Sequence, residues 1–417
     1  MYVMCARPWG VKMKRFTLLL VLLIICLSVS AGLSLGQKNV TIPSLGTVSM
    51  LKEIYTLNRY SILFPKDDVS DIIAYFDMTQ SHYYTGGKVQ QIHSIRPDFK
   101  ALVYRNIRAA KTSDPEYDYL EQQGWVLKDI NGNFVYSTVY GTGYRLADIG
   151  NPDYRAWVAS WIKENMEEYG FDGVFADNSL SALASQHFWA TSAPAINPRT
   201  GTYWTDEEVR QALIKVHIEI KNVIGSKLLI CNGIYDGKRF WQRTSEYLET
   251  LSNSPFDGIM SEGLWWDPNY DWYSETKWLE SLEFMVYIQN NVISETDKVF
   301  VPVCKLEDAS GEPYQLPSGS TEEQMATYAV ASTMLGIKSS QLYLAISDSQ
   351  FMETFGQQLF EKANNLGAPL GDYYEDNSVY VREFVNGKVY VNPTDSSHVV
   401  GGITIEAHTG RIDVGTS

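Results

Sequence analysis

The chain has 417 residues, a length suited to a barrel domain with an appendage, and its 45% hydrophobic and 20% charged residues are typical of a folded globular protein. A formal net charge of −15 repels phosphate groups, which excludes nucleic acid as an expected partner. The four cysteines include no paired CxxC motif, so neither a zinc site nor a disulfide framework is indicated.

The N-terminal segment, residues 1–36, has the pattern of a secretory signal peptide. Lys14 and Arg15 precede an apolar run over residues 16–27, and small residues follow from Ser28. The apolar run is short for a membrane span. We therefore expect an exported, extracellular protein. The alternative is an uncleaved anchor that holds the folded part outside, and only in that case is membrane contact expected.

Strand-like apolar runs alternate with amphipathic stretches between residues 71 and 370. This alternation predicts a parallel sheet with crossover helices, and eight units in order predict a closed (β/α)8 barrel, the TIM barrel fold. An open doubly wound sheet would require a glycine-rich phosphate loop after the first strand, and residues 77–81 contain no glycine. The predicted strands are 72–77, 101–106, 144–148, 173–177, 228–232, 258–262, 299–305 and 341–346.

Helix boundaries are marked by local signals. Asn151-Pro152 predicts the start of a helix that runs to Tyr169, and Thr205 predicts the start of another that stops at Gly225. Residues 37–70 show no strong period, so we interpret them as an N-terminal extension that precedes the barrel.

The last segment, residues 371–417, has a different sequence pattern. Two alternating runs, 379–384 and 388–393, flank Asn386-Gly387, a strong hairpin signal, and residues 403–406 would add a third strand. We expect a small C-terminal antiparallel β domain.

Two segments, Phe171–Asp177 and Phe256–Glu262, match each other. Both begin with Phe-Asp-Gly, continue with apolar residues and end in a carboxylate at the same offset. Because these are the fourth and sixth predicted strands, both carboxylates should face inward in one layer at the carboxyl end of the barrel, where active sites lie. Glycoside hydrolysis uses such a pair, and we assign Asp177 as nucleophile and Glu262 as acid/base. The alternative is that either carboxylate only pairs with a cation or caps a helix.

Further polar and aromatic residues end the predicted strands or follow them closely. Asp148 also fits turn chemistry, and Asp77 is a rival for one catalytic role. Aromatic residues in loops are suited to stacking on sugar rings, and packing among loops is the alternative. The residues expected to bind substrate are Asp77, Tyr104, Arg105, Asp148, Asn178, Asn232, Trp265, Trp266 and Lys305, with Tyr83, Tyr84 and Tyr235 as further aromatic residues near the strand ends.

Several other chemistries lack support in the sequence. There is no H-E-x-x-H and no Gly-x-Ser-x-Gly motif, which argues against a zinc peptidase or a serine hydrolase. We expect no metal and no cofactor, since a cation held by Asp77 and Asp177 has no spacing signature. Cys231 and Cys304 each precede a residue expected to face inward, so we predict buried thiols beneath the helices.

Three stretches carry a resemblance to a known family. Residues 148–152, 170–178 and the hairpin at 380–393 resemble glycosyl-hydrolase-like barrels, in particular hypothetical glycosyl hydrolase family 15. The resemblance covers most of the chain and implies a (β/α)8 barrel with a C-terminal β domain. In related retaining barrels the nucleophile ends strand four, here Asp177. The acid/base ends strand six in some of them, here Glu262, and strand five in many others, where this chain has Asn232.

These observations lead to three functional hypotheses. The first is an exported glycoside hydrolase that cleaves an oligo- or polysaccharide with the carboxylate pair. The second is a barrel that binds carbohydrate without cleaving it. The third is a barrel hydrolase or lyase of another class that uses the same carboxylates, because barrels support many chemistries.

Overall fold

The computed structural model describes residues 55–62, 68–138, 140–180, 191–267, 271–294, 296–306, 316–317, 319–346 and 349–415. The predicted signal segment therefore lies outside the described residues. Among those described, no helix combines the length and hydropathy that a membrane crossing requires.

Eight parallel strands form the central sheet in the order of the chain, with β8 paired to β1. The gap between β7 and β8 is closed by backbone hydrogen bonds, such as those from Phe300 to Gln341 (2.9 Å) and from Ala345 to Pro302 (3.0 Å). The predicted (β/α)8 barrel is thus confirmed. The strands are β1 Asn58–Ser61, β2 Met78–Ser81, β3 Lys100–Asn106, β4 Gly173–Asp177, β5 Leu228–Ile234, β6 Gly258–Ser261, β7 Val299–Pro302 and β8 Tyr343–Leu344.

The start of the barrel differs from the prediction. The stretch 72–77, expected as the first strand, lies mainly in the helix Val69–Tyr75. Val69, Ile72, Ile73 and Phe76 follow the helical spacing, which the short apolar run concealed. The first barrel strand is instead β1, inside the expected N-terminal extension, so the barrel begins before residue 71.

The predicted third strand, 144–148, also lies outside the barrel. It overlaps Gly141–Leu146, which forms a three-stranded antiparallel sheet with Ala109–Lys111 and Tyr136–Ser137. We call this sheet, residues 109–146, the β3 insertion. A local apolar pattern predicts a strand but does not identify the strand with which it pairs. Only the strand pairing in the structure shows that this segment is not part of the barrel.

The two helices whose bounds were predicted from the sequence begin and end at the expected residues. Asn151 caps Pro152–Tyr169 by accepting hydrogen bonds from two backbone amides, and Thr205 forms a capping box with Glu208. Within the described residues, the helices of six or more residues are Val69–Tyr75, Gly86–Ile95, Tyr117–Gln122, Pro152–Tyr169, Asp206–Ile224, Gly237–Gln242, Thr244–Asn253, Glu275–Asn291, Glu322–Gly336 and Gln357–Asn364.

Two cores result from the alternation of side chains along the strands. The larger core lies between strands and helices, and it contains Cys231 and Cys304 as buried free thiols, as predicted. Burial raises the pKa of Cys231 to about 12, so this thiol stays protonated. The smaller core fills the barrel with side chains that include Leu102, Phe175, Ile230, Met260 and Val301.

The repeated Phe-Asp-Gly sequence has a structural explanation. Asp172 accepts a hydrogen bond from the backbone of β3 (3.1 Å to Ala101 N), and Asp257 accepts one from β5 (2.8 Å to Leu229 N). A Cβ atom at Gly173 would lie 2.3 Å from the Leu228 carbonyl oxygen, so only glycine allows this approach. Each repeat therefore joins its strand to the preceding one and aligns the carboxylate at its end.

The C-terminal β domain is confirmed, with one change in its pairing. The predicted hairpin forms an antiparallel sheet with two more strands, whereas Ile403–Ile405 pairs separately with His398–Val400. Buried Arg382 donates to the carbonyl oxygens of Leu335 and Ile337 (both 2.8 Å), which ties this domain to the end of a barrel helix. The main sheet contains Tyr374–Asp376, Val379–Phe384, Gly387–Asn392 and Thr409–Val414.

Candidate active site

A cleft of about 700 Å³ opens at the carboxyl ends of the barrel strands. Strands β3, β4 and β5 contribute polar side chains to it, and the β3 insertion forms part of its wall. Deeper in the barrel, the inward-facing positions of the strands hold apolar residues. At the strand ends the side chains still alternate with a period of two, and the inward-facing positions there hold polar groups. The cleft is therefore a polar mouth above an apolar interior, the usual form of a ligand site.

Asp177, the last residue of β4, is held by hydrogen-bond donors on both carboxylate oxygens. The Tyr104 hydroxyl donates to Oδ2 (2.7 Å) and the Asn232 amide donates to Oδ1 (2.8 Å). Asn178 adds its backbone N–H (2.8 Å to Oδ1) and its side-chain amide (3.1 Å to Oδ2). Asn178 has a positive φ of 56°, a conformation that asparagine tolerates better than most residues. This carboxylate is fixed in orientation.

Glu262 follows β6 directly and meets the same amide. The Asn232 Nδ2 atom donates to Glu262 Oε1 at 2.9 Å, as well as to Asp177. Lys305 lies near the other oxygen, with its Nζ 3.7 Å from Glu262 Oε2. One amide nitrogen therefore bridges the two carboxylates, which brings together side chains from three successive strands.

The two bridging hydrogen bonds limit the separation of the carboxylates. They measure 2.8 Å and 2.9 Å, so the two accepting oxygens are separated by at most their sum, about 5.7 Å. The two N–H bonds of an amide diverge by about 120°, which corresponds to a separation of about 5 Å.

Burial and the charge of Glu262 both raise the pKa of Asp177 above its ordinary value. Hydrogen bonds from Tyr104, Asn232 and the Asn178 backbone act in the opposite direction. Burial, followed by the charge of Asp177, raises the pKa of Tyr104 well above its ordinary value, so this hydroxyl remains a donor. The two carboxylates therefore interact electrostatically across the cleft.

Seven of the residues predicted to be catalytic or to bind substrate line this cleft, and so do the three further aromatic residues Tyr83, Tyr84 and Tyr235. The seven include both proposed catalytic residues, which approach each other through Asn232. Arg105 lies over the Trp161 ring (4.3 Å to its centre) and pairs with Glu116, so its charge is already neutralised. The seven residues are Tyr104, Arg105, Asp177, Asn178, Asn232, Glu262 and Lys305.

Two predicted acidic residues lie elsewhere. Asp77 precedes β2, at the opposite end of the barrel, where it pairs with Arg59 (3.0 Å) and Arg96 (3.5 Å). Asp148 is buried and forms a bidentate ion pair with Arg199 at 2.8 and 2.9 Å. Both carboxylates have structural partners, so expecting them at the substrate was wrong. The prediction misplaced Asp77 because it placed the first strand in what is a helix.

The tryptophans expected in a loop are part of the core. Trp265 is fully buried and donates its indole N–H to the Thr333 hydroxyl at 3.0 Å. Trp266 is also buried and makes an edge contact with Trp272. Neither ring lines the cleft, because the chain after Glu262 turns beneath the helix Glu322–Gly336.

The sequence interpretation did not identify some residues of the cleft. His82 lies in the turn after β2, and Asp114, Glu116, Tyr140 and Tyr144 belong to the β3 insertion. No local motif marks them, although the aromatic cluster at Tyr83 and Tyr84 was noted from the sequence. Among the residues that the structure describes, no three His, Cys, Asp or Glu side chains form a group able to hold a metal ion.

A closed (β/α)8 barrel with acidic side chains in the cleft at its carboxyl end is an architecture that glycoside hydrolases share with barrel enzymes of other classes. Residues 93–388 match hypothetical glycosyl hydrolase family 15, and the chain therefore belongs to this family of glycoside hydrolases. No curated protein sequence matches the chain.

Solved structures with similar folds are distant in sequence. An α-amylase from Geobacillus thermoleovorans, complexed with acarbose, has 9% identity over 84% of this chain and 88% of its own, with a TM-score of 0.46. The maltogenic α-amylase AmyB from Thermotoga neapolitana has 10% identity, coverage of 84% and 87%, and a TM-score of 0.49. The glycoside hydrolase domain of PelA from Pseudomonas aeruginosa has 12% identity, coverage of 71% and 96%, and a TM-score of 0.44.

Proposed function

We propose that this protein is an exported, retaining glycoside hydrolase that cleaves an oligo- or polysaccharide, with Asp177 as nucleophile and Glu262 as acid/base. The observation that carries the proposal is the bridge by Asn232, whose single amide nitrogen donates to both carboxylates. A carboxylate pair that faces one cleft is the machinery that glycosidic bond cleavage requires.

The separation of the carboxylates supports retention of anomeric configuration. Retaining enzymes have carboxyl groups about 5–5.5 Å apart, whereas inverting enzymes need about 6.5–9.5 Å to admit a water molecule. The oxygens bridged by Asn232 cannot be more than about 5.7 Å apart, a limit set by the two hydrogen bonds. This spacing of the bridged oxygens is close to that of retaining enzymes and favours direct attack by a carboxylate over attack by a water molecule.

The surroundings of each carboxylate support the division of roles. The four donated hydrogen bonds on Asp177 fix its direction of attack, and those from Tyr104 and Asn232 partly offset the burial and the charge of Glu262 that raise its pKa. Glu262 accepts from the Asn232 amide and has a side chain that is 27% exposed, so it can exchange a proton with water.

The reaction then proceeds in two displacements. Protonated Glu262 donates its proton to the glycosidic oxygen while Asp177 attacks the anomeric carbon, and the leaving sugar departs with that proton. The glycosyl–Asp177 ester is next attacked by water, whose proton passes to the Glu262 carboxylate. Asp177 leaves as a carboxylate, and Glu262 is again protonated for the next cycle.

Export belongs to the proposal because of the N-terminal pattern. Basic residues, an apolar run and small residues in that order over residues 1–36 are typical of a secretory signal. Expression of the full chain, followed by N-terminal sequencing of protein recovered outside the cell, tests this part. Protein that is found only in the cytoplasm would contradict export and leave the catalytic proposal unaffected.

The first test of activity is release of reducing sugars across a panel of polysaccharides. We expect release by the natural protein and a loss of at least about 10³-fold in Asp177→Ala and Glu262→Gln, because each removes one half of the pair. Asp98→Ala is the control, since Asp98 is highly exposed and forms only a distant ion pair with Arg96 (4.0 Å). Release that survives both site substitutions would refute the assignment. Sugar binding without release would favour a carbohydrate-binding barrel.

A further inference from the structure

We propose that His82 and Tyr84 form a binding platform for a neutral sugar ring that lies beyond the scissile bond, so that the substrate is a chain of neutral sugars extending along the cleft. The platform deepens the proposed function and rests on it for the position of the scissile bond. Its binding test does not require catalysis, so the two proposals can fail independently.

A continuous row of rings leads outward from the nucleophile. Tyr104, bonded to Asp177, lies next to His82, with ring centres 5.0 Å apart. His82 in turn stacks on Tyr84, with ring centres 5.1 Å apart and an interplanar angle of only 9°. All four side chains line the same cleft. The row therefore connects the reacting carboxylate to the rim of the cleft.

The outermost ring is exposed, yet its position is built into the fold. Tyr84 is 65% exposed, although a ring of this size gains free energy from burial. The adjacent Tyr83 packs edge-on against Trp161, with ring centres 5.5 Å apart, and the Thr85 hydroxyl donates to the His82 carbonyl oxygen at 2.7 Å. The turn is thus anchored on its inner side, and Tyr84 is presented to a ligand at little conformational cost.

Aromatic faces of this kind recognise the C–H face of a pyranose ring. The negative face of the ring system attracts the weakly positive C–H groups, while the sugar hydroxyls at its edge stay hydrated. A second aromatic pair, Tyr140 and Tyr144 on the β3 insertion, lines the same cleft with ring centres 5.2 Å apart. The cleft volume of about 700 Å³ is that of a site for a ligand with several rings.

The charges of the cleft favour a neutral ligand. Its described lining contains four acidic and four basic side chains besides His82. Arg105 pairs with Glu116, and Lys305 lies beside Glu262. Burial lowers the pKa of His82, so the imidazole that stacks on Tyr84 is neutral at pH 7. The net charge of −15 further disfavours a polyanionic chain.

The test is affinity electrophoresis of an Asp177→Asn protein, which binds without turnover, in gels that contain amylopectin, mixed-linkage β-glucan, arabinoxylan or galactomannan. We expect retardation by at least one of these neutral polysaccharides. Adding Tyr84→Ala should weaken binding roughly tenfold, and Tyr84→Phe should preserve it, because the ring face is what binds. Tyr374→Ala is the matched control, since Tyr374 is an exposed tyrosine (45%) on the C-terminal sheet.

Three outcomes would overturn the platform. Equal affinity with and without the Tyr84 ring would show that this ring does not contribute to binding. Retardation only in parallel gels that contain polygalacturonate, an acidic polysaccharide, or chitosan, a basic one, would exclude a neutral ligand. Failure to bind any of the four neutral polysaccharides would also refute it. Binding that depends on Tyr84, together with no release of reducing sugar by the natural protein, would leave the platform standing and overturn the hydrolase proposal.

Discussion

The segments Phe171–Asp177 and Phe256–Glu262 share their local construction and differ in their surroundings. In both, the aspartate at the start accepts a backbone hydrogen bond from the preceding strand, and the glycine lies close to the next strand. At their ends, Asp177 accepts four hydrogen bonds, whereas Glu262 accepts from Asn232 and lies near Lys305. Local sequence thus positions a carboxylate, and neighbours from other strands determine its chemistry.

The largest expected effect distinguishes the two carboxylates directly. Asp177→Ala should lose about 10⁴-fold or more in kcat on a dinitrophenyl glycoside of the preferred sugar, because no nucleophile remains. Sodium azide should restore turnover and yield a glycosyl azide of inverted configuration. Glu262→Ala should instead keep the first step on this good leaving group and yield an azide of retained configuration. NMR of the products measures both, and exchanged configurations would reverse the roles.

A smaller loss of activity should distinguish Asn232, which bridges the two carboxylates, from Tyr104, which contacts only Asp177. Asn232→Ala should lower kcat/KM about 10²-fold, and Tyr104→Phe about tenfold, because Asn232 donates to both members of the pair. The Tyr104 hydrogen bond lowers the pKa of Asp177, so its removal raises that pKa and moves the acidic limb of the kcat/KM profile to higher pH.

Tyr247→Phe is the control for this pair of variants, since Tyr247 lines the cleft and stacks on Phe240. Its pH profile should match that of the natural protein. An acidic limb that stays in place in Tyr104→Phe would contradict the hydrogen-bond argument, and equal losses in Asn232→Ala and Tyr104→Phe would deny the bridge any special role.

The smallest effect concerns stability and tests how alike the two segments are. A Cβ at Gly173 would meet the Leu228 carbonyl oxygen at 2.3 Å, whereas one at Gly258 would first meet the Val299 side chain at 2.5 Å. Backbone moves less readily than a side chain, so Gly173→Ala should lower the free energy of unfolding by about 3 kcal/mol and Gly258→Ala by about 1 kcal/mol.

Urea unfolding with an unchanged m-value measures these differences. Gly87→Ala is the matched control, because Gly87 lies in a helix with open space around its Cβ direction, and it should leave stability unchanged or slightly raised. Equal losses at Gly173 and Gly258 would show that the two strand starts are mechanically equivalent.

Strands with a clear local sequence pattern were predicted correctly, and a strand without such a pattern was not. Strands β4 to β7 are apolar runs between clear turn signals, and the sequence located all of them. Strand β2, with the sequence Met-Thr-Gln-Ser, carries too few apolar residues to be recognised. It is stable because it pairs on both sides, with β1 and β3, and such pairing has no signature within four residues.

In the candidate site, too, residues marked by a local pattern were predicted, and residues placed by distant contacts were not. Alternation along β4 and β6 was enough to expect Asp177 and Glu262 in one cleft. Trp265 was misjudged because its partner, Thr333, is 68 residues further along the chain. His82 was missed because nothing local marks a ring that lies between two tyrosine rings, Tyr84 and Tyr104.

The sequence by itself determined the features that arise within a few residues: the helix caps at Asn151 and Thr205, and the inward register of Asp177 and Glu262. These depend on local hydrogen bonds and on the period of two along a strand, which neighbouring residues specify. Only the tertiary structure decided that Asn232 bridges the carboxylates and that Tyr104 holds Asp177 across 73 residues of chain. Such contacts form when barrel closure brings distant strands together, so no local pattern contains them.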